Sequence, residues 1–280
     1  IQRLHVLALN PLILFFTFWA FEVPEAGILS MPVLGASALF IGGGIALASA
    51  RRLGLPGPET GSLFVCGMFS NLGSIGGLIC YLFFGEPGFA LGQLYRLFEH
   101  IIYYAFGFPF ANLLGKEGNL RVGAFVRETA KNPLTYVPFI AIASGILLHV
   151  AGIQRPAALG RVNSLLIPAS AALLMFGIGL ILRFKNALAH PRLSATVMAI
   201  KFVAVPLLMS TAGYLLGYGE MLEGLPLKVT LVQASAPVAF IAMVPATLFG
   251  LDETVAQACW LTSTAAMLAV IPLLYLALAV

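Results

Sequence analysis

The sequence predicts an all-α integral membrane protein: nine transmembrane helices of a ten-helix inverted repeat (5+5), two of them broken. Three observations predict this fold. The chain is 60% hydrophobic and only 9% charged, whereas about 25% of the residues in a soluble domain are charged. Its apolar runs have the length of membrane-spanning helices, about 20 residues, and are too long for barrel strands. Two of the runs carry polar residues, glycine or proline at their centres.

The spans follow one another as apolar runs separated by loops rich in glycine, proline or charged residues. In chain order, the predicted spans are residues 4–21, 27–50, 61–84, 91–114, 133–151, 161–182, 193–217, 227–249 and 255–279. A tight turn is predicted at residues 85–88, between the third and fourth spans. The longest polar stretch, residues 115–132, includes a segment with the pattern of a short interfacial helix.

The third and eighth spans are each interrupted near mid-membrane. The third carries the sequence SNLGSIGG at residues 70–77, and each glycine costs roughly 1 kcal/mol of helix propensity relative to alanine. The eighth carries Gln233 and Ser235 before Pro237, which removes a backbone N–H group. Polar groups at this depth need partners. The two breaks, near residues 70–77 and 234–238, therefore predict a transporter site between two repeats.

The order of these features indicates an internal repeat. A shift of about 165 residues lays Phe84-Gly85 on Phe249-Gly250 and places Asn71 beside Pro237. Because each shift covers an odd number of spans, the second copy is inverted across the membrane. The fifth span has no partner, which predicts one further spanning helix upstream of Ile1, with Ile1 on the cytoplasmic side and Val280 outside.

Orientation follows from the positive-inside rule. Most arginine and lysine residues fall in alternate loops, so the central loop 115–132 is predicted to be cytoplasmic; Arg155 and Arg161 are exceptions on the outer side. The net charge of +4 is carried mainly by these loops and is not a nucleic-acid signal. We expect a transport bundle of residues 27–112 and 193–280, and a scaffold of residues 1–26 and 133–183 joined through loop 113–132.

Several stretches resemble the auxin efflux carrier family, a branch of the bile acid/auxin carrier superfamily that includes plant auxin exporters and bacterial relatives. In chain order these stretches are SNLG (70–73), FGEPG (84–88), KNP (131–133), Lys201, QASAP (233–237) and FGLDE (249–253). The resemblance implies ten helices in two inverted repeats, two crossing broken helices, transport of organic anions, and a homodimer formed through the scaffold. The short central loop points to a prokaryotic member, hence to the bacterial inner (plasma) membrane.

The predicted substrate site lies at the two breaks. Helix N-termini that follow a break carry free N–H groups and positive partial charge, which suit a carboxylate. The candidate binding residues are Asn71, Gly73, Ser74, Gly76, Gln233, Ser235, Pro237 and Lys201. Two simpler roles stay open: Asn71 as a helix cap, and the glycines as close packing positions. Lys201, deep within a span, is either an anion partner or half of a structural salt bridge.

Glu99 and His100 are candidates for proton coupling, because an ionisable group at membrane depth is costly unless it has a role. Their adjacency places them on different faces of one helix, and Glu99 is the favoured carrier of the proton. A structural Glu99–Lys201 pair is the alternative. No cofactor or metal site is predicted, since the three cysteines show no metal spacing.

The predicted function is secondary active transport of a small organic anion by alternating access, with an elevator-like movement of the bundle. Two alternatives share the architecture. The first is a sodium-coupled symporter of the bile-acid type, although the breaks offer few carboxylates for sodium. The second is a channel or sensor on the same fold. Enzymatic activity is not predicted, because no hydrolase or metalloprotease motif occurs.

Overall fold

A computed structural model of the protein describes residues 8–21, 25–115, 133–179 and 189–278, together with positions 123, 127 and 131. The described helices are α1 (Asn10–Ala20), α2 (Met31–Arg52), α3 (Gly57–Met68), α4 (Gly77–Tyr95), α5 (Glu99–Ile102), α6 (Phe108–Leu114), α7 (Pro133–Val150), α8 (Ala157–Gly179), α9 (Pro191–Ala199), α10 (Val205–Leu215), α11 (Leu225–Ala234), α12 (Met243–Leu248) and α13 (Glu253–Leu278). The predicted positions of Ile1 and Val280, and the predicted interfacial helix within 115–132, lie outside this description.

The helical stretches have the length and composition of membrane spans. Four continuous stretches are apolar and long enough to cross a bilayer: Ala26–Arg52, Leu72–Leu114, Pro191–Leu215 and Glu253–Leu278. Shorter apolar helices lie at Asn10–Ala20, Tyr136–Val150 and Ala157–Leu173. The prediction of an all-α membrane protein is therefore confirmed. The count of nine spans and the inverted repeat stay predictions.

The long stretch Leu72–Leu114 is divided near its first third. Gly85 has a φ of +65° and non-helical backbone angles, a conformation that glycine adopts without a Cβ penalty. Pro87 follows two residues later and cannot donate a helical hydrogen bond. The chain therefore turns here, inside the segment where the sequence predicts a turn.

Both spans that were predicted to be interrupted are broken in the structure. Between α3 and α4 the chain leaves the helix at Phe69 and resumes as a π-helical turn, Leu72–Gly76, that leads into α4. Between α11 and α12 the break covers residues 235–239, and a short 3₁₀ turn, Phe240–Ala242, precedes α12. Extended backbone at such positions must find hydrogen-bond partners within the protein.

The two breaks supply those partners to each other. Ser70 and Val238 form an isolated antiparallel bridge. On one side of it the Asn71 N–H donates to the Pro237 carbonyl (2.8 Å), and on the other the Ala239 N–H donates to the Phe69 carbonyl (3.1 Å). The unpaired backbone of one broken helix is thus satisfied by that of the other.

A hydroxyl from a later helical segment also holds each break. The Tyr103 hydroxyl accepts a hydrogen bond from the Ser70 N–H (2.7 Å) and donates to the Ser70 carbonyl (3.0 Å). The Ser263 hydroxyl, in α13, accepts from the Val238 N–H (3.2 Å). Both hydroxyls are buried, so these bonds fix the two extended segments away from water.

The helices pack in two groups. In the first group, α1 lies along α7 and also contacts α8. In the second group, α2 packs on α3. Helix α11 packs on both α4 and α10, and α9 packs on α13. These helices surround one large apolar core. The groups meet where α1 and α8 contact α4 and the π-helical turn after the first break. The assignment of these groups as scaffold and transport bundle stays a prediction.

Candidate functional site

A cavity of about 190 Å³ lies where the two groups of helices meet. Its polar lining comes from Asn10, Ser74, Gln93, Arg96, His100 and Ser170. Ile13, Leu78, Phe89, Pro138 and Ile167 supply most of its apolar wall. The lining therefore combines one permanent positive charge, several neutral polar groups and a larger apolar surface.

Arg96 dominates the electrostatics of this cavity. It lies just after α4, and the Glu99 carboxylate contacts both its Nε and its Nη2 at 2.6 Å. Its Nη1 donates to the Gln93 side-chain oxygen (3.2 Å). These contacts use three of the five guanidinium N–H groups. Only 16% of the side chain is exposed, so its charge acts in a region of low dielectric.

Gly73 makes room for this guanidinium. A Cβ atom on Gly73 would lie 2.6 Å from both Cζ and Nη1 of Arg96, closer than real Cβ contacts come. Gly73 is the second residue of the helical stretch that resumes after the first break. Arg96 can therefore lie directly against the start of that stretch only because residue 73 lacks a side chain.

Two of the sequence-predicted binding residues, Gly73 and Ser74, line the cavity. His100 lines it as well, with 44% of its side chain exposed, while Glu99 is 6% exposed and reaches it only through Arg96. The other predicted binding residues, Asn71, Gly76, Gln233, Ser235, Pro237 and Lys201, do not line the cavity.

Asn71 caps the helical stretch that follows the first break. Its side-chain oxygen accepts a hydrogen bond from the Ile75 N–H (3.4 Å), and only 8% of the residue is exposed. Capping is the simpler of the two roles that the sequence predicts for Asn71. The proposed contact with substrate remains a separate prediction.

Gln233 fills the space between two glycines of the other broken helix. A Cβ atom on Gly76 would lie 2.4 Å from Gln233 Oε1, and one on Gly92 would lie 2.5 Å from Gln233 Nε2. The side chain is fully buried, and neither polar atom has a hydrogen-bond partner among the described residues. Gly76 therefore has a packing role at the point where α11 meets α4.

Lys201 holds the end of α3. Its Nζ donates to the Gly67 carbonyl (2.8 Å) and to the Ser70 hydroxyl (2.6 Å), with 1% of the residue exposed. A cation is favourable beside carbonyl groups at a helix C-terminus, which have no partners within the helix. Lys201 thus stabilises the first break, and it does not line the cavity.

A second polar cluster joins the two groups of helices beyond the end of the cavity that lies away from Arg96. Glu86, after the Gly85 turn, forms an ion pair with Arg155, whose Nη2 lies 3.0 Å from Glu86 Oε2. The Asn163 amide donates to Glu86 Oε1 (2.6 Å) and to the Thr17 hydroxyl (2.9 Å). The pair accounts for Arg155, which breaks the charge pattern expected for its loop. We call Glu86, Arg155, Asn163 and Thr17 the latch.

An apolar seal lies beside the latch. Ile13, Phe89 and Ile167 form a small buried cluster, against which Tyr81 and Leu166 pack. The Tyr81 hydroxyl donates to the Ser164 carbonyl (2.9 Å). The seal and the latch join the two groups at one end of their boundary. A smaller hollow near Leu97, Pro138 and Ile142 adjoins the cavity on the Arg96 side.

Comparison with known proteins identifies the family. The family model described as "Membrane transport protein" matches residues 120–275, which is more than half of the chain. The chain belongs to this membrane transport protein family. The resemblance to auxin efflux carriers seen in the sequence motifs is thereby confirmed, and a transporter rather than an enzyme is indicated.

Individual relatives agree with this family. An uncharacterized transporter of Methanothermobacter thermautotrophicus is 27% identical over 244 residues, which cover 87% of this chain and 76% of that protein. A probable auxin efflux carrier component 1b of rice is 28% identical over 113 residues, covering 40% of this chain and 20% of the rice protein. Auxin efflux carrier component 3a of rice is 30% identical over a stretch of the same length.

Within this membrane transport protein, Arg96 is the charged cavity residue that the sequence analysis did not predict; the neutral polar residues Asn10, Gln93 and Ser170 were not predicted either. The signal was present, because Arg96 and Glu99 lie at i and i+3 in a predicted span, where unpaired charges are costly. Arg96 is the partner of Glu99 and gives the cavity its positive charge.

The described residues contain no group of three or more histidine, cysteine, aspartate or glutamate side chains placed to hold a metal ion. Cys66, Cys80 and Cys259 are buried and not disulfide-bonded. The lining of the cavity offers a bound molecule charge, hydrogen bonds and apolar contact.

Proposed function

We propose that this protein is a secondary active transporter that carries a small organic anion, a carboxylate with an apolar body, across the membrane by alternating access. The observation that carries the proposal is the position of Arg96. Its guanidinium lies at a cavity between two groups of helices and has N–H groups beyond those bound to Glu99 and Gln93. An arginine fork suits a carboxylate.

The surroundings of Arg96 favour a carboxylate that carries an apolar portion. Ser74 and Gln93 add hydrogen-bonding groups near the guanidinium, while Ile13, Phe89 and Ile167 form the far wall. Ligand sites of this kind are mostly apolar, with a few placed polar groups that fix orientation. The start of the helical stretch at Leu72 adds positive partial charge on the same side.

The place of the cavity supports alternating access. It lies between helices that pack as separate groups, and the latch and seal close one end of the boundary. A relative movement of the groups would open that end and close the other, which is how many secondary carriers expose a site to each side in turn. We assign α1, α7 and α8 to the scaffold and the remaining helices to the moving, elevator-like bundle.

Four further features predicted from the sequence belong to this proposal. They are an inverted repeat with two crossing helices, a cytoplasmic central loop at residues 115–132, the bacterial inner membrane, and a homodimer formed through the scaffold. Glu99, with His100 beside it, is proposed to link transport to protons. Exposed apolar side chains on α7 and α8, such as Ile140, Leu147 and Leu165, offer surface to lipid or to a second copy.

A thermal-shift screen on the purified protein tests the substrate class. Indole-3-acetate, benzoate and succinate are compared with uncharged indole-3-acetamide at equal concentration. We expect indole-3-acetate to raise Tm in the wild type and in Arg51→Gln, a control at an exposed arginine. It should not do so in the double variant Arg96→Gln/Glu99→Gln, which removes both charges of the pair together. An equal shift by the acetamide, or an undiminished shift in the double variant, would contradict the anion site.

A further inference from the structure

We propose that the Arg96–Glu99 ion pair exchanges partners during transport. A bound carboxylate replaces Glu99 on the Arg96 guanidinium, and the released Glu99 carboxylate takes up one proton. The inference rests on the proposed function, since it requires that the substrate anion binds at Arg96. It adds a coupling mechanism, in which one residue carries the proton and another carries the anion.

The geometry of the pair leads to this exchange. A single oxygen of Glu99, Oε2, contacts both Nε and Nη2 of Arg96 at 2.6 Å. An incoming carboxylate that seeks a forked contact with the guanidinium therefore competes for the same two N–H groups. The third contact, from Nη1 to Gln93, involves a neutral amide and does not need to break.

Burial explains why the displaced carboxylate takes a proton. The Glu99 side chain is only 6% exposed, compared with 16% for Arg96. Without Arg96, an ionised carboxylate in this position would have little water around it and, among the described residues, no closely placed ion-pair partner. Protonation removes that penalty, because a neutral carboxyl needs only ordinary hydrogen bonds.

The other charged and titratable groups around Glu99 do not replace Arg96. Lys201 lies close enough to interact electrostatically, but its ammonium group is held by the Gly67 carbonyl and the Ser70 hydroxyl. The Tyr103 hydroxyl, which also lies beside Glu99, is engaged with the Ser70 backbone and carries no charge, and Tyr104 is a second neutral neighbour. His100 Nδ1 lies 4.0 Å from Glu99 Oε2, so an experiment must distinguish His100 from Glu99 as the carrier of the proton.

The exchange conserves charge at the site. In the empty site, the positive Arg96 balances the negative Glu99. In the loaded site, Arg96 balances the substrate carboxylate, and Glu99 is neutral with a proton taken from water on the open side. The net charge is zero in both states, so the membrane potential does not oppose either movement of the bundle. Transport of one anion with one proton follows, driven by a pH gradient.

Binding of indole-3-acetate to the purified protein, measured by calorimetry between pH 5 and pH 9, tests the exchange. Two buffers with different ionisation enthalpies report the protons taken up. In the wild type we expect uptake approaching one proton per anion. The affinity should fall by up to about tenfold per pH unit over the range in which Glu99 is ionised in the empty site and protonated in the loaded site. Glu99→Gln should bind with affinity that does not change with pH and with no proton uptake.

His100→Gln distinguishes the two candidate proton carriers. Its affinity for the anion is free to change because His100 lines the cavity, but the pH dependence and the proton uptake of the wild type should remain. If His100→Gln abolishes them while Glu99→Gln keeps them, the proton carrier is His100 and the proposed exchange is wrong. Binding without proton uptake in the wild type leaves the anion site standing and also overturns the exchange. If neither the wild type nor Glu99→Gln binds the anion at any pH, the proposed function itself fails.

Discussion

The backbone N–H of Asn71 donates to the backbone carbonyl of Pro237 at 2.8 Å, so the two broken helices are joined where each is interrupted. With the bond between Ala239 and Phe69 on the other side, this contact makes each break the hydrogen-bond partner of the other. The cavity therefore borders a rigid junction, and the residues that build the junction are largely different from those that line the cavity.

Lys201 provides a first test of this separation. Replacing it with methionine leaves the buried Gly67 carbonyl and Ser70 hydroxyl without their cation partner, which should cost about 1–3 kcal/mol of stability. We expect a lower Tm for Lys201→Met and no such change for Lys228→Met, at a less buried lysine in α11. Binding of indole-3-acetate should be retained. A variant that keeps its stability but loses binding would place Lys201 in the substrate site instead.

The packing of Gln233 between two glycines gives a second prediction. Gly92→Ala places a methyl group about 2.5 Å from Gln233 Nε2, and overpacking of this kind typically costs about 1–3 kcal/mol. Gly44→Ala is the matched control, because a Cβ there meets nothing within 4 Å. Thermal unfolding should show a loss for Gly92→Ala, no loss for Gly44→Ala, and partial recovery in Gly92→Ala/Gln233→Ala. Equal Tm values for the two glycine variants would show that Gln233 moves aside freely.

Breaking the latch should make the buried seal more accessible to a reagent in water. Glu86→Gln removes the ion pair with Arg155 and weakens the contact with Asn163. In a background without the native cysteines, the reporter Ile13→Cys, in the buried seal, should react faster with an impermeant maleimide added on the Glu86 side. Glu25→Gln, elsewhere on the side predicted to be external, should leave the rate unchanged. The same slow labelling in both variants would mean that the latch does not close that end.

Asp252 makes stability depend on pH. Its Oδ1 accepts hydrogen bonds from the Thr254 hydroxyl (2.7 Å) and from the N–H groups of Thr254 and Val255 at the start of α13. Partial burial acts to raise the pKa of Asp252. The hydrogen bonds from Thr254 and Val255, together with the nearby His190, lower this pKa by more than burial raises it, so the pKa lies below its ordinary value. Stability contributed by the cap is therefore present above the ordinary pKa of about 4 and is lost as pH falls through the lowered value.

Asp252→Asn tests that cap. The variant keeps a capping side chain but loses the charge, which should cost about 0.3–1 kcal/mol at neutral pH. The gap in Tm between the variant and the wild type should narrow as the pH is lowered from 7 to 3. Glu220→Gln, at an exposed loop position, should follow the wild type throughout. A constant gap at every pH would show that the Asp252 charge does not contribute.

Much of this fold could be predicted from composition and local pattern. The breaks at residues 70–77 and 234–238 were visible because glycine, proline and polar residues are costly within apolar runs, and the turn at Gly85 followed from its glycine and proline neighbours. Which residues face the cavity could not be predicted, because that depends on how separate helices meet. Gln233 and Arg96 both lie in or near broken helices, yet one packs between glycines and the other lines the cavity.

Arg155 illustrates the same limit. Its charge contradicted the topology pattern along the chain, and the reason lies 69 residues away in Glu86. A pairing of this kind comes from the contact between two groups of helices and leaves no local periodicity. The cavity likewise draws its lining from α1, α4, α7 and α8, which are distant in the sequence.

The most direct test of the account is counterflow of labelled indole-3-acetate in proteoliposomes preloaded with the unlabelled acid. We predict transient accumulation of label by the wild type and by Arg51→Gln, and none above empty liposomes by Arg96→Gln/Glu99→Gln reconstituted at the same density. Accumulation by the double variant at the wild-type rate, or an ionic conductance in place of counterflow in the wild type, would contradict a carrier that binds its anion at Arg96.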